Sequence, residues 1–164
     1  MRNILIILLS YVSFLYGCAH NESLQEKFNT LKDIDYSEFN GMSVINRKGI
    51  YFVVYHGSTY KMKRNFLTKK ISLIEIVFNK DREMSLMKKD SDYIEHALKS
   101  FDRIKVLALS VDEKGNVSLS LPWHSGCTYY FLRLSPSNTL EDIKKQYYKV
   151  YKDNWYMYKE CSER

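Results

Sequence analysis

The chain has 164 residues, with 25 Lys and Arg against 19 Asp and Glu, 45% hydrophobic and 27% charged residues. That length excludes several ordinary domains, and that apolar content excludes a disordered chain. Two Pro and six Gly also exclude collagen-like, low-complexity and linker-dominated architectures.

The first segment is read as an address, not as fold. Arg2 gives a positive start, and Ile4 to Tyr16 then run 13 residues without a charge. A helix needs about 20 apolar residues to span a bilayer, so this run suits the apolar region of a signal peptide. It ends in Leu15-Tyr16-Gly17-Cys18, which resembles the lipobox of bacterial lipoproteins: an apolar residue, a variable one, a small one and cysteine. The resemblance covers residues 1–18 only. It implies cleavage between Gly17 and Cys18, a diacylglyceryl thioether on Cys18 and acylation of the new amine, with a fatty acid such as palmitate. One acyl chain binds membranes marginally, whereas two or three anchor stably. Residue 19 is Ala and not the aspartate that the lipoprotein family associates with inner-membrane retention. In a host with two membranes, the resemblance therefore favours the outer one.

If lipid takes Cys18, Cys127 and Cys161 remain as a pair in an oxidising compartment and are expected to form a disulfide; the alternative is two free thiols. Removing residues 1–17 takes away one basic residue, so the formal charge falls from +6 to +5. Residues 18–22 then form the lipidated cysteine and a short tether. Residues 23–164 are read as a single α+β domain, large enough for a real core.

Within that domain, Ser23 and Glu26 have the spacing of a capping box, with Leu24, Phe28 and Leu31 following at helical spacing. Residues 42–46 and 50–55 are β-branched and aromatic runs around Arg47-Lys48-Gly49, a hairpin pattern. Residues 56–70 are polar and then basic, and 72–78 read as a strand. Ile94, Ala97, Leu98 and Phe101 form one apolar stripe that predicts a helix over 91–103. Residues 106–111 and 117–121 read as strands around the turn 112–116, with Pro122 ending the second. A further strand is expected over 127–134. Pro136-Ser137-Asn138 would open a last helix carrying Leu140, Ile143, Tyr147 and Val150 on one stripe, and 155–159 would be a final strand. This order predicts a mainly antiparallel sheet of about six strands, with two or three helices packed on one face.

Strong catalytic signatures are missing: there is no G-x-S-x-G elbow, P-loop, H-E-x-x-H or paired C-x-x-C. A histidine beside a thiolate activates it as a nucleophile, and His124 lies three residues before Cys127, but a bridged cysteine cannot attack. His20, His56, His96 and His124 are far apart in sequence, so no metal site and no cofactor is expected. Lys61, Lys63, Arg64, Lys69 and Lys70 form a basic run. Export removes nucleic acid as its partner and leaves anionic lipid headgroups or another envelope polyanion, or a solvated loop.

Aromatics are dense, with 14 Tyr, a residue suited to contact surfaces and to half-buried strands. Tyr129, Phe131, Tyr156 and Tyr158 are the contact candidates, provided their sheet faces are open. The expectation is a lipid-anchored envelope protein that acts by binding, for example as an immunity or inhibitor lipoprotein. The rivals are a small envelope hydrolase built on His124 or His56, and a structural component of an envelope assembly. A histidine–carboxylate pair in a deep pocket would favour the hydrolase; a flat tyrosine-rich face would favour binding.

Overall fold

The computed structural model describes residues 23–65, 67–68, 70–78, 88–123 and 126–162. The lipobox-like segment with Cys18, Lys69 of the basic run and His124 lie outside the described residues. Two compact units divide the chain, one ending at Asp33 and one beginning at Ile34. The first holds helix α1, Leu24–Lys32, closed by the capping box: Ser23 Oγ accepts from the Glu26 amide, and Glu26 Oε2 accepts from the Ser23 amide. Two orphan donors of the first turn are thereby satisfied.

The second unit is one antiparallel sheet of nine strands, where about six were expected. The strands are β1 Met42–Arg47, β2 Ile50–Tyr55, β3 Ser58–Arg64, β4 Ile71–Phe78, β5 Ala108–Val111, β6 Val117–Trp123, β7 Cys127–Arg133, β8 Lys149–Lys152 and β9 Trp155–Cys161. They lie in the order β4-β3-β2-β1-β5-β6-β7-β9-β8. Helix α2, Lys88–Ile104, follows edge strand β4 and leads to β5, which pairs with β1 in the middle of the sheet. A single 3-10 turn, Ser37–Phe39, precedes β1. One α-helix and a mostly antiparallel sheet make the unit α+β.

Local chemistry explains the meander β1–β3. Lys48 and Gly49 both have positive φ, 53° and 80°, and Arg47 pairs with Ile50. That is the two-residue loop whose twist matches a hairpin. His56 and Gly57 repeat it, at 49° and 75°, with Tyr55 paired to Ser58. Strand β3, not expected from the sequence, begins there. Its Ser58, Tyr60 and Met62 are buried, while Thr59, Lys61 and Lys63 alternate onto the other face. The basic run conceals this period of two.

Alternation divides the sheet into an inner and an open face. The inner face carries Val44, Val53, Leu109, Leu119, Phe131 and Trp155, each at most 1% exposed. Helix α2 lies against its β2–β3 side. There Phe101 meets Tyr51 edge-on and Tyr93 meets Tyr55 at 5.3 Å between centroids. The Tyr93 hydroxyl also donates to the Glu38 carbonyl at 2.7 Å. On the open face, Ser43, Ser110 and Ser118 stand side by side across β1, β5 and β6.

Two sequence expectations fail. Pro122 does not end β6: it pairs with Thr128 of β7. Because β5 pairs with β6 only as far as Ser120, β6 is an edge on that side at Pro122, where proline is tolerated. The last helix does not form; residues 140–144 and 146–147 are turns and 149–152 are β8. Asp142 folds back to accept from the Thr139 amide and hydroxyl at 2.8 and 2.7 Å, and Lys144 has φ 54°. With the Asp142 amide donating back to Thr139 Oγ1, these are the bonds of a capping box, which starts a single turn; the left-handed Lys144 ends it before a second can follow. Of the expected apolar stripe, Tyr147 is 54% and Val150 74% exposed.

Candidate functional site

Strands β7 and β9 run antiparallel in full register, from Cys127 opposite Cys161 to Arg133 opposite Trp155. The Ser162 amide donates to the Gly126 carbonyl, so the next pair inward, Cys127 and Cys161, is a non-hydrogen-bonded one, where side chains approach closest. A disulfide joins them, with Cα atoms 3.9 Å apart and a sequence separation of 34. Three pairs further along, Tyr130 stacks on Tyr158, with ring centroids 5.9 Å apart and planes 27° apart.

The turn segment before β8 completes this cluster. Tyr147 meets Tyr158 edge-on at 4.9 Å, Tyr148 lies 5.1 Å from Tyr147 and 6.0 Å from Tyr158. The Lys145 ammonium sits 5.3 Å over the Tyr148 ring, a cation–π contact. Tyr148 is buried and Tyr147 exposed, so the platform has a fixed inner ring and an accessible outer one. Burial pushes the Tyr148 hydroxyl above the usual range. Tyr130 is raised too, by burial and then by the charge of Glu160, whose Oε2 accepts from its hydroxyl at 3.3 Å. Lys145 is held below the usual lysine range by burial. The four rings offer apolar faces with hydroxyl rims.

The four expected contact residues do not share a face. Tyr156 and Tyr158 lie on the face opposite the core, Tyr156 opposite Leu132, which is buried there, and Tyr158 opposite Tyr130. Tyr129 and Phe131 lie on the inner face. Phe131 is 0% exposed and touches Tyr151; it is a core residue and is withdrawn as a contact. Tyr129 carries the Lys159 ammonium 5.4 Å over its ring. Tyr130, Tyr147 and Tyr148 were missed as contacts, the last two because their segment reads as a helix. The run Tyr129-Tyr130 held the signal, since adjacent strand residues face opposite ways.

The basic run is divided as well. Lys61 forms an ion pair with Glu75 at 3.4 Å, and Arg64 turns to the inner face to pair with Asp102 of α2. Lys63 and Lys70 are exposed. His56 lines a shallow depression with Glu113, Asn40, Gly41 and Gly57. Among the described residues no hydrogen bond or ion pair joins His56 to Glu113. The positive φ of His56 belongs to the β2–β3 turn, and its ring packs on Tyr55 at 4.0 Å. Among the described residues no three His, Cys, Asp or Glu side chains gather as a metal site requires. Nor is any described helix long and apolar enough to cross a membrane. No protein-family model, curated protein or solved structure matches the chain.

Proposed function

We propose that this chain is a lipid-anchored envelope protein that acts by binding, with the tyrosine platform of β7, β9 and the preceding turn as its contact surface. The observation that carries this reading is the contact network of Tyr130, Tyr147, Tyr148 and Tyr158 on the open face of the sheet. Tyrosines give large, rigid contact area at low entropic cost, which is why they concentrate at interfaces. The disulfide beside them holds the two strands in register. Cys18 would carry the lipid, and the partner would be another envelope protein, as for an immunity or inhibitor lipoprotein. Lys63 and Lys70 remain available for anionic headgroups.

The experiment places a photo-crosslinking amino acid at Tyr147, and separately at Ser110 in the middle of the open face, in the cell that makes the protein. A discrete crosslinked species from position 147, absent at 110 and lost with Tyr158→Ala, is the expected result. Identical smears from both positions would sink the binding surface. Mass spectrometry of the membrane-extracted protein tests the anchor: a lipid-bearing peptide beginning at Cys18 supports it, and an unmodified Cys18 overturns it.

A further inference from the structure

A second site lies at the opposite end of β7, formed by Asp35 to Asn40, the β5–β6 turn and Arg133. Together they line an open cleft of about 400 Å³. Its apolar walls include Tyr36, Val111 and Val117, all buried. Its charged lining is Arg133 and Lys114 against Asp35 and Glu113.

Arg133 is held in an unusual way. Its guanidinium carbon sits 5.4 Å from the ring centroid of Tyr36 and 5.4 Å from that of Trp155, and the two rings meet edge-on at 6.3 Å. Among the described residues no hydrogen bond or ion pair reaches the guanidinium. Stacking uses the faces of that group and leaves its fork of N–H donors free, the geometry that takes a carboxylate through two parallel bonds.

Glu113 is equally free among the described residues, and it sits on a turn that cannot drift. Asp112 accepts from the amides of Lys114 and Asn116, both at 2.9 Å, and from Asn116 Nδ2 at 2.7 Å. Asn116 in turn accepts from the Ser135 amide at 2.8 Å. Of the other two charges, Asp35 accepts from the Ser37 amide at 2.9 Å and also feels the Arg133 charge without an ion pair to it, and Lys114 lies on the β5–β6 turn beside Glu113. One cleft thus carries a guanidinium and, on an exposed turn, a carboxylate, neither of them hydrogen-bonded or ion-paired among the described residues. A carboxylate ligand alone would leave Glu113 unanswered, and an amine alone would leave Arg133 unanswered.

We propose that this cavity binds a small zwitterion, an amino acid or short peptide, whose carboxylate bridges the Arg133 fork and whose ammonium meets Glu113. The reading is independent of the tyrosine platform.

The test uses the full-length chain in a neutral detergent, with glycylglycine as probe and acetate and inorganic phosphate as comparisons. Binding is read by calorimetry and by the indole N–H resonance of Trp155, identified against a Trp123→Phe variant. Glycylglycine should bind saturably and shift Trp155. Arg133→Gln and Glu113→Gln should each weaken it about tenfold or more, as expected for losing one charge-assisted contact. Acetate should bind more weakly and be indifferent to Glu113→Gln. Absence of a saturable shift overturns the proposal, as does a Glu113→Gln variant that binds glycylglycine unchanged. Phosphate binding tighter than glycylglycine would make the cavity a plain anion site and overturn it too. If Arg133→Gln unfolds, Glu113→Gln on its exposed turn still decides the question.

Discussion

The hydroxyl of Tyr51, on β2, donates to the carboxylate of Asp102, on α2, at 2.8 Å. Arg64 of β3 reaches the same carboxylate from the neighbouring strand, so one helical side chain is tied to two strands at once. Asp102 and Arg64 keep about a quarter of their side-chain surface, 23% and 26%. Such a pair is worth more than a surface bridge but less than a dry one. Asp102→Ala leaves a half-buried guanidinium and a phenol without their acceptor and is expected to cost about 1–3 kcal/mol. Urea unfolding of Asp102→Ala, Tyr51→Phe and the double variant measures the coupling. If the two losses simply add, the clamp is not one unit.

The same contact makes stability fall in alkali. Burial, then the hydrogen bond and charge of Asp102, raise the Tyr51 hydroxyl to about 12, against the opposing pull of Arg64. Burial drives Tyr36 upward against the pull of Arg133, and burial, then the neighbouring tyrosines, drives Tyr148 upward. A folded phenol above its unfolded value of about 10 binds its proton more tightly folded than unfolded. Its contribution is therefore complete below about pH 10 and is lost as pH rises toward the folded value. Unfolding free energy should be lower at pH 11 than at pH 9, with Tyr51→Phe flattening part of the slope. Tyrosinate absorbance should show a late-titrating fraction that vanishes on unfolding. Equal stability at both values would contradict the assignment.

What could be read from the sequence follows how local the cause is. Helix α1 was legible because Ser23 and Glu26 sit three apart, and its bonds are made within one turn. The stripe Ile94, Ala97, Leu98, Phe101 was legible because one buried face of one helix fixes it. Strand β3 was hidden because its outward residues are Lys61 and Lys63, whose charge suggested a solvated loop, although His56-Gly57 is the same kind of turn as Lys48-Gly49. The last expected helix had the right period, but Tyr148 is buried beside Tyr158 and Lys144 takes a left-handed φ, so tertiary packing overrode it. The cysteine pairing was reached from the likeness to a lipobox, not from register; the register of β7 with β9 sets the two side by side. The Arg133 cavity left no sequence signal, since Tyr36, Glu113, Arg133 and Trp155 meet only through the sheet.

The disulfide should matter for stability more than for shape. Closing a loop of 34 residues' separation restricts the unfolded chain by about 3–4 kcal/mol in the chain-entropy model. Cys127→Ser with Cys161→Ser should lower stability by that order while the Tyr130–Tyr158 contact survives, because the β7–β9 ladder spans seven residue pairs. Thermal unfolding with and without reductant measures the loss. An unchanged midpoint would mean that the bridge restricts little. Gly126 tests the same corner: its φ is 72°, and a Cβ there would come within 2.7 Å of Ser162 Oγ. Gly126→Ala should therefore destabilise this end of the hairpin through backbone strain, by about 1 kcal/mol or more.

The platform makes its own prediction, because its two adjacent tyrosines have opposite burial. Tyr148 is 6% exposed, touching Tyr147, Tyr158 and Lys145. Tyr148→Ala empties that space and should cost about 2–4 kcal/mol of stability. Tyr147 is 54% exposed, and Tyr147→Ala should change stability by less than about 1 kcal/mol. If the platform is a contact surface, Tyr147→Ala should nevertheless reduce capture of the crosslinked partner strongly, since exposed aromatic anchors dominate interface energies. Tyr147→Phe keeps the ring and should retain most of the binding. Denaturant unfolding of the three variants, set beside their crosslinking yields, separates the two roles. A Tyr147→Ala variant that is as stable as the parent and crosslinks equally well through position 156 would leave the platform a packing feature of the sheet and nothing more.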